Sequence, residues 1–363
     1  MTNSNILTMK KLLLSMAALA FLFTACDADK NEIVQEQQID MSDFYVYTDA
    51  DSDEAAKSDN KKNASKSCAS MTVLNRQLNE NPGLAKKMYN IELHTRKFIA
   101  GKGKPTKPGG GGGGGGDSDV DVAPIEDNMG VIDIPVYIHI VYPDASTKTI
   151  SNEQVTTQMA TLNADFRDKN TDQLPSGTTF ANDATDAGFS FSLAGTFRYD
   201  DSKSSWGTNN SVKADYPPIN PETHMNIWVC NIGGGILGYA QFPGGNEATD
   251  GIVLGGDYFG NTGGPYGAGR TATHEVGHYL NLRHIWGDGR CRQDDFVADT
   301  PSSNSSNGGC PAFPSVSCKT ADMTMNYMDY TYDNCMYMFT DGQRNRMRPL
   351  FAQNGARAAM AGN

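Results

Sequence analysis

The sequence predicts an α/β fold for residues 131–363, and three observations carry that expectation. Residues 132–141 alternate in polarity as a half-buried strand does, and residues 153–167 then place Val155, Met159, Leu162 and Phe166 at helical spacing, with Ser151 as N-cap. Further strand candidates lie at 190–197, 226–232 and 251–254, ahead of a second helix that starts near Thr271. Beyond His284 the chain is loop-rich, holds four cysteines, and closes with a short helix around 342–353.

The residues before this domain are organised differently. Lys10 and Lys11 precede an apolar run from Leu12 to Ala25, which has the length of a signal peptide and falls short of the about 20 residues that span a bilayer. The run ends in Phe23-Thr24-Ala25-Cys26, similar to a bacterial lipobox. Residues 1–25 are therefore expected to be a lipoprotein-type signal and Cys26 the lipid anchor, with a plain small-residue cleavage site as the alternative. Residues 26–66 are polar and read as a disordered tether. Residues 67–104 read as a prosegment, in which 74–98 carries apolar residues suited to one or two short helices interrupted at Pro82-Gly83. Residues 105–130, with the glycine tract 109–116, read as a flexible linker. A net charge of -12 suits an exported globular protein and argues against a nucleic-acid partner, which wants a basic surface. Membrane contact is expected only through the lipid anchor, and the sequence leaves the oligomeric state open.

The chemistry concentrates in Thr273-His274-Glu275-Val276-Gly277-His278-Tyr279-Leu280-Asn281-Leu282-Arg283-His284. On a helix, His274 and His278 share one face and can reach a single zinc ion, with Glu275 beside them as a general base that does not ligate. His284 cannot belong to the same straight helix. Ten residues of helical rise would put it roughly 15 Å from His274, too far to share an ion. The chain must turn, and Asn281 stands where the extended pattern His-Glu-x-x-His-x-x-Gly-x-x-His has glycine. Asparagine is the next most tolerant residue for left-handed backbone. A second segment, Met325-Asn326-Tyr327-Met328-Asp329-Tyr330, follows about forty residues later and matches the methionine turn that floors the zinc site of metzincin peptidases.

Together with Asn226-Ile227-Trp228-Val229, Leu237-Gly238-Tyr239-Ala240-Gln241-Phe242-Pro243, Asp250-Gly251-Ile252-Val253, Asp299-Thr300-Pro301, Cys335-Met336 and the run Phe339 to Met347, these motifs make the chain resemble a pappalysin-type metzincin over roughly its last 230 residues. The resemblance implies a twisted mixed sheet, an active-site helix and a loop-rich lower subdomain stapled by disulfides. It implies zinc on His274, His278 and His284, Glu275 as the base that activates water, Met328 as the methionine of the turn, and Tyr330 as a tyrosine that stabilises the tetrahedral intermediate. Zinc chemistry agrees: three protein ligands leave a position open, and the metal acts as a Lewis acid. The resemblance also implies a protein or peptide substrate, and a calcium loop at Asp295, Asp299 and Thr300. It further implies a cleft-lining edge strand near 233–240, for which a plain glycine-rich hairpin is the alternative, and an acidic substrate pocket near Asp333 and Asn334.

Apart from Cys26, six cysteines remain, and the four from Cys291 to Cys335 suggest two disulfides with three possible pairings. The resemblance implies Cys291–Cys318 and Cys310–Cys335. Cys230 reads as a buried free thiol. Cys68, in Ser67-Cys68-Ala69-Ser70, resembles the cysteine switch of related zymogens, in which a thiolate takes the open zinc position. A Cys68–Cys230 disulfide or an inert thiol is the alternative. The expectation is thus a latent, secreted zinc endopeptidase released by proteolysis in the linker. A catalytically silent zinc-containing surface protein and a zinc hydrolase of a non-peptide bond are the other readings.

Overall fold

The structure is a computed structural model that describes residues 38–49, 68–102, 122–143, 150–170 and 179–362. The signal segment, Cys26 and the glycine tract 109–116 lie outside the described residues. The chain from residue 39 onward forms one compact unit.

Two helices precede the sheet, α1 (Ser70–Glu80) and α2 (Pro82–Lys102). The break falls at Asn81, whose extended backbone is the conformation that a following proline favours. Met71, Leu74 and Leu78 of α1 and Leu84 and Met88 of α2 are buried together against Phe242. The chain then forms β1 (Ile132–Val141), α3 (Asn152–Asp165), β2 (Phe189–Tyr199), the short α4 (Ser211–Asp215), β3 (Met225–Cys230), β4 (Gly238–Ala240) and β5 (Ile252–Gly255). Ser151 caps α3 in a capping box with Gln154. The five strands form one sheet in the order β2-β1-β3-β5-β4. All neighbours are parallel except the edge strand β4, which runs antiparallel to β5. Every residue of β3 is buried, as expected for a parallel strand covered on both faces.

One face carries Ile134, Val136, Ile138, Ile227 and Ile252 and packs against Val155, Met159 and Leu162 of α3 and Ala272 and Val276 of α5 (Arg270–Tyr279). The other face carries Trp228, Cys230, Tyr239 and Val253, covered by Trp206, Val212 and, from the N-terminal segment, Ala69 and Val73. After α5 the chain is mostly loop. Two-residue strands pair β6 (Gly308–Gly309) with β9 (Tyr330–Thr331) and β7 (Val316–Ser317) with β8 (Thr320–Ala321). Disulfides join Cys291 to Cys318 and Cys310 to Cys335, and Cys230 is a buried free thiol.

Three sequence expectations need correction. Residues 39–49, expected within a disordered tether, lie as an ordered strap because they include Phe44, Tyr45 and Val46, which have apolar surface to bury. Arg283 donates to the Tyr45 carbonyl, and its guanidinium lies over the rings of Tyr45 and Phe296. The end of the expected linker is also docked: Ile125 is buried, its N–H bonds the Asn345 side chain, and Asp127 pairs with Arg348. Finally, the closing helix stops early. α6 (Asp341–Met347) gives way to a tighter 3-10 turn over Arg348–Phe351, because Pro349 has no N–H to continue the α-helical ladder.

Candidate metal centre

α5 delivers two histidines and the loop after it returns the third. The helix ends at Leu280, and Asn281 takes a left-handed φ of 74°. The Leu282 N–H then bonds back to the Gly277 carbonyl and the Asn281 N–H to the His278 carbonyl. This pair of bonds is the Schellman motif that ends a helix at a left-handed residue, and it turns His284 back over the helix.

The three Nε2 atoms face one another at 3.1 Å (His278 to His274), 3.1 Å (His278 to His284) and 3.3 Å (His274 to His284). Three nitrogens bound tetrahedrally to one zinc at about 2.0–2.1 Å would lie about 3.3 Å apart. The opposite ring nitrogens all have acceptors: His274 Nδ1 on the Tyr327 carbonyl at 2.7 Å, His278 Nδ1 on the Leu282 carbonyl at 2.8 Å, and His284 Nδ1 on Asp288 at 2.6 Å. Donation from Nδ1 leaves each Nε2 as a lone pair. Three lone pairs aimed at one point repel unless a cation lies between them, so this donor set fits a zinc ion.

Met328 is fully buried beneath the site. A Cβ at Gly277 would collide with its sulfur, so glycine at 277 is what admits the methionine to the helix. The Tyr330 ring lies 5.6 Å from that of His274 and 4.9 Å from that of His284, and its hydroxyl donates to the Cys68 carbonyl. Cys68 reaches the same point: its Sγ and the histidine nitrogens all lie within 4.8 Å of one another. Burial first, and then the Glu275 carboxylate, push the Cys68 thiol up, so a thiolate here needs a cation beside it.

Sequence reasoning missed several residues of the site. Ser70 donates its hydroxyl to Glu275 at 2.7 Å and accepts the Ala240 N–H at 2.7 Å, while the Ala69 N–H bonds the Gly238 carbonyl at 3.0 Å. Residues 68–70 therefore lie along the free edge of β4, with Cys68 parallel to Gly238, and Ser70 holds the carboxylate of Glu275. Nothing in Ser67-Cys68-Ala69-Ser70 distinguished Ser70 from its neighbours. Asp165 accepts from Thr273 at 2.7 Å and from the Tyr327 hydroxyl at 2.8 Å, tying α3 to α5 and to the methionine turn. Its signal was a carboxylate three residues after Leu162, on the apolar side of α3. Trp286 stacks on His284 at 4.2 Å.

Other expected residues are placed elsewhere. Asp333 is 0% exposed, and its carboxylate accepts the Ala268 and Arg270 N–H groups at the start of α5. It therefore anchors the start of the helix, and the neighbouring Asn334 is exposed. Asp295 and Thr300 bond each other. The Asp299 carboxylate accepts from the Thr340 hydroxyl and the Gly342 N–H at the N-terminus of α6.

The family model described as pregnancy-associated plasma protein-A, of peptidase family M43, matches residues 207–352. An extracellular metalloprotease of Arthroderma gypseum is 32% identical over 232 residues, 61% of this chain and 72% of that protein. Extracellular metalloprotease 1 of Coccidioides posadasii is 34% identical over 242 residues, 62% and 79% of the two chains. Mature mirolysin of Tannerella forsythia, solved with a cleaved peptide, superposes with a TM-score of 0.61 at 43% identity and covers 64% of this chain and 96% of its own. A promirolysin mutant from the same organism superposes with a TM-score of 0.67 at 35% identity, over 82% and 97% of the chains. With the sheet order, the helix-borne histidines and the methionine beneath them, these likenesses establish that the chain belongs to the pappalysin family of metzincin metalloendopeptidases.

Proposed function

We propose that the chain is made as a latent zinc endopeptidase, with zinc held by His274, His278 and His284 and the site closed by Cys68. The convergence of three Nε2 lone pairs, each fixed by an acceptor at Nδ1, is the observation that carries this. When bound, zinc polarises the scissile carbonyl as a Lewis acid and lowers the pKa of a water towards about 7. Glu275 takes the proton of the attacking water and returns it to the leaving amine, a role worth about 10²–10⁴ in rate. Tyr330 donates its hydroxyl to the carbonyl oxygen as that oxygen gains charge. The free edge of β4 binds the main chain of a protein or peptide by strand addition, as Ala69 already does at Gly238.

Latency is supported by three contacts made at once: Cys68 beside the histidines, Ser70 on Glu275 and Ala69 on β4. A peptide cannot reach the edge or the base while they hold. Export is supported by relatives named extracellular metalloproteases, and the lipid anchor at Cys26 extends that proposal. Calcium at loop 294–300 has narrower support. Burial pushes the carboxyls of Asp294 and Asp295 up, and that of Asp299 to about 6. A divalent cation would offset that cost, although Asp299 is already committed to α6.

Casein cleavage by residues 27–363 tests the proposal, measured before and after light proteolysis, with a chelator control and a Glu275→Ala variant. Activity should appear once proteolysis has gone beyond the linker and digested residues 68–102, vanish with chelator and fall at least ~100-fold in the variant. Cys68→Ala should be active without processing; a variant as silent as the precursor would remove Cys68 from latency. Bound zinc with no cleavage of any peptide library would favour the silent surface protein, and hydrolysis of other bonds alone would favour the non-peptide hydrolase.

A further inference from the structure

Asp288 follows His284 by four residues and is neither a metal ligand, a base nor part of the latency contacts. Its Oδ1 lies 2.6 Å from His284 Nδ1, and it is 2% exposed. The other two histidines donate to neutral backbone carbonyls, so His284 alone donates to a carboxylate. The arrangement is costly. Asp288 sits at a φ of 58°, a left-handed conformation that a non-glycine residue adopts at a penalty. Its Oδ2 is buried and has no hydrogen-bond partner among the described residues. A buried carboxylate satisfied on one oxygen destabilises a protein unless a positive charge stands close by. Arg283 interacts with Asp288 only through its charge, since its hydrogen bonds go to the carbonyls of Tyr45 and Val46.

We propose that Asp288 is a positioning residue for the metal: it fixes His284 with the proton on Nδ1 and strengthens Nε2 as a ligand through a charge-assisted hydrogen bond. Its charge is then part of the metal site: Oδ2 has no hydrogen-bond partner among the described residues, Arg283 acts on the carboxylate only at a distance, and the cation held by the three histidines adds to that compensation. This rests on the proposed zinc site and adds an unequal division of labour among its ligands. His274 and His278 are oriented by the fold alone, whereas His284 is also charged from behind.

The test uses the full chain as wild type, Asp288→Asn and Asp288→Ala, each prepared metal-free and zinc-loaded. Zinc affinity is read by competition with a chelator, and stability by thermal unfolding of both forms. Asn keeps the shape and an acceptor oxygen and removes only the charge, so Asp288→Asn decides the matter even if Asp288→Ala does not fold. The expected result is a zinc affinity weaker by about 10–100-fold, with the metal-free variant unfolding no earlier than metal-free wild type. That pair of outcomes separates the proposal from a structural role, which would lower the stability of the metal-free form. Unchanged zinc affinity in Asp288→Asn would overturn it, as would a metal-free variant that melts well below wild type while keeping the full stabilisation by zinc. Wild type that binds no zinc would overturn the metal site itself and this inference with it.

Discussion

At the scale of single residues, the site depends on a few backbone and side-chain choices that a substitution can isolate. Asn281 must hold a left-handed φ to bring His284 back. Asn281→Gly should therefore leave zinc binding intact, whereas Asn281→Val should cost about 1–2 kcal/mol of stability. Thermal unfolding of the zinc-loaded forms checks the sign, and equal melting of Gly and Val variants would show that the turn tolerates either. Asp329 makes a pH-dependent contribution. Burial pushes its carboxyl up to about 7, against the N–H bonds from Asn307 and Tyr330 that pull it down. A folded pKa above the unfolded value means the group supports the fold fully below about pH 4, and that this support is lost as pH rises through 7. The difference in Tm between Asp329→Asn and wild type, followed from pH 4 to 8 with both metal-free, should move in favour of the variant as pH rises. A constant difference would mean that Asp329 does not titrate in that range.

At the scale of elements, the edge strand and residues 68–70 explain each other. β4 has only three residues, and β5 occupies one side of it. Its other edge would be left with unpaired N–H and C=O groups, and residues 68–70 take them. α1 starts at Ser70, so the helix and the blocking segment form one continuous piece, anchored by Leu74 and Leu78 under Phe242. The strap 39–49 adds a second hold on the loop after His284: the Tyr45 hydroxyl donates to the Asp294 carbonyl at 2.7 Å and accepts the Asp294 N–H. The sequence made α1 and α2 visible through their apolar residues. It concealed the strap, since the apolar residues of 39–49 fall in no helical or alternating period.

At the scale of the whole molecule, the proposed prosegment, residues 68–102, is held by burial and charge as well as by its covalent tether. Glu92 of α2 is 1% exposed and pairs with both nitrogens of the Arg346 fork, at 3.1 and 2.7 Å, and with Arg96. Burial alone would push its carboxyl up, and the two arginines outweigh that and hold it below its ordinary value. Breaking such a pair from one side costs about 3–5 kcal/mol, because the remaining charge is buried alone. A single engineered cut between residues 103 and 121 should therefore leave the site blocked, with the cut prosegment co-eluting in gel filtration. The same cut in a Glu92→Ala background should release activity. Full activity on cutting the wild type would show that the tether, rather than the docking, maintains the block.

The sequence by itself determined the α/β class, the strands near 132–141, 190–197 and 226–232, the zinc-binding pattern and the need for a turn at Asn281. All of these are local, because periodicity and ligand spacing are written in consecutive residues. Only the tertiary structure decided that Asp333 serves α5, that Asp299 serves α6, that Ser70 meets Glu275, and that Asp288 stands behind His284. The first three join residues far apart in the chain, where only packing sets the neighbours. Asp288 lies within four residues of its partner, but its contact requires two successive left-handed residues, Gly287 and Asp288, and no residue pattern announces that backbone.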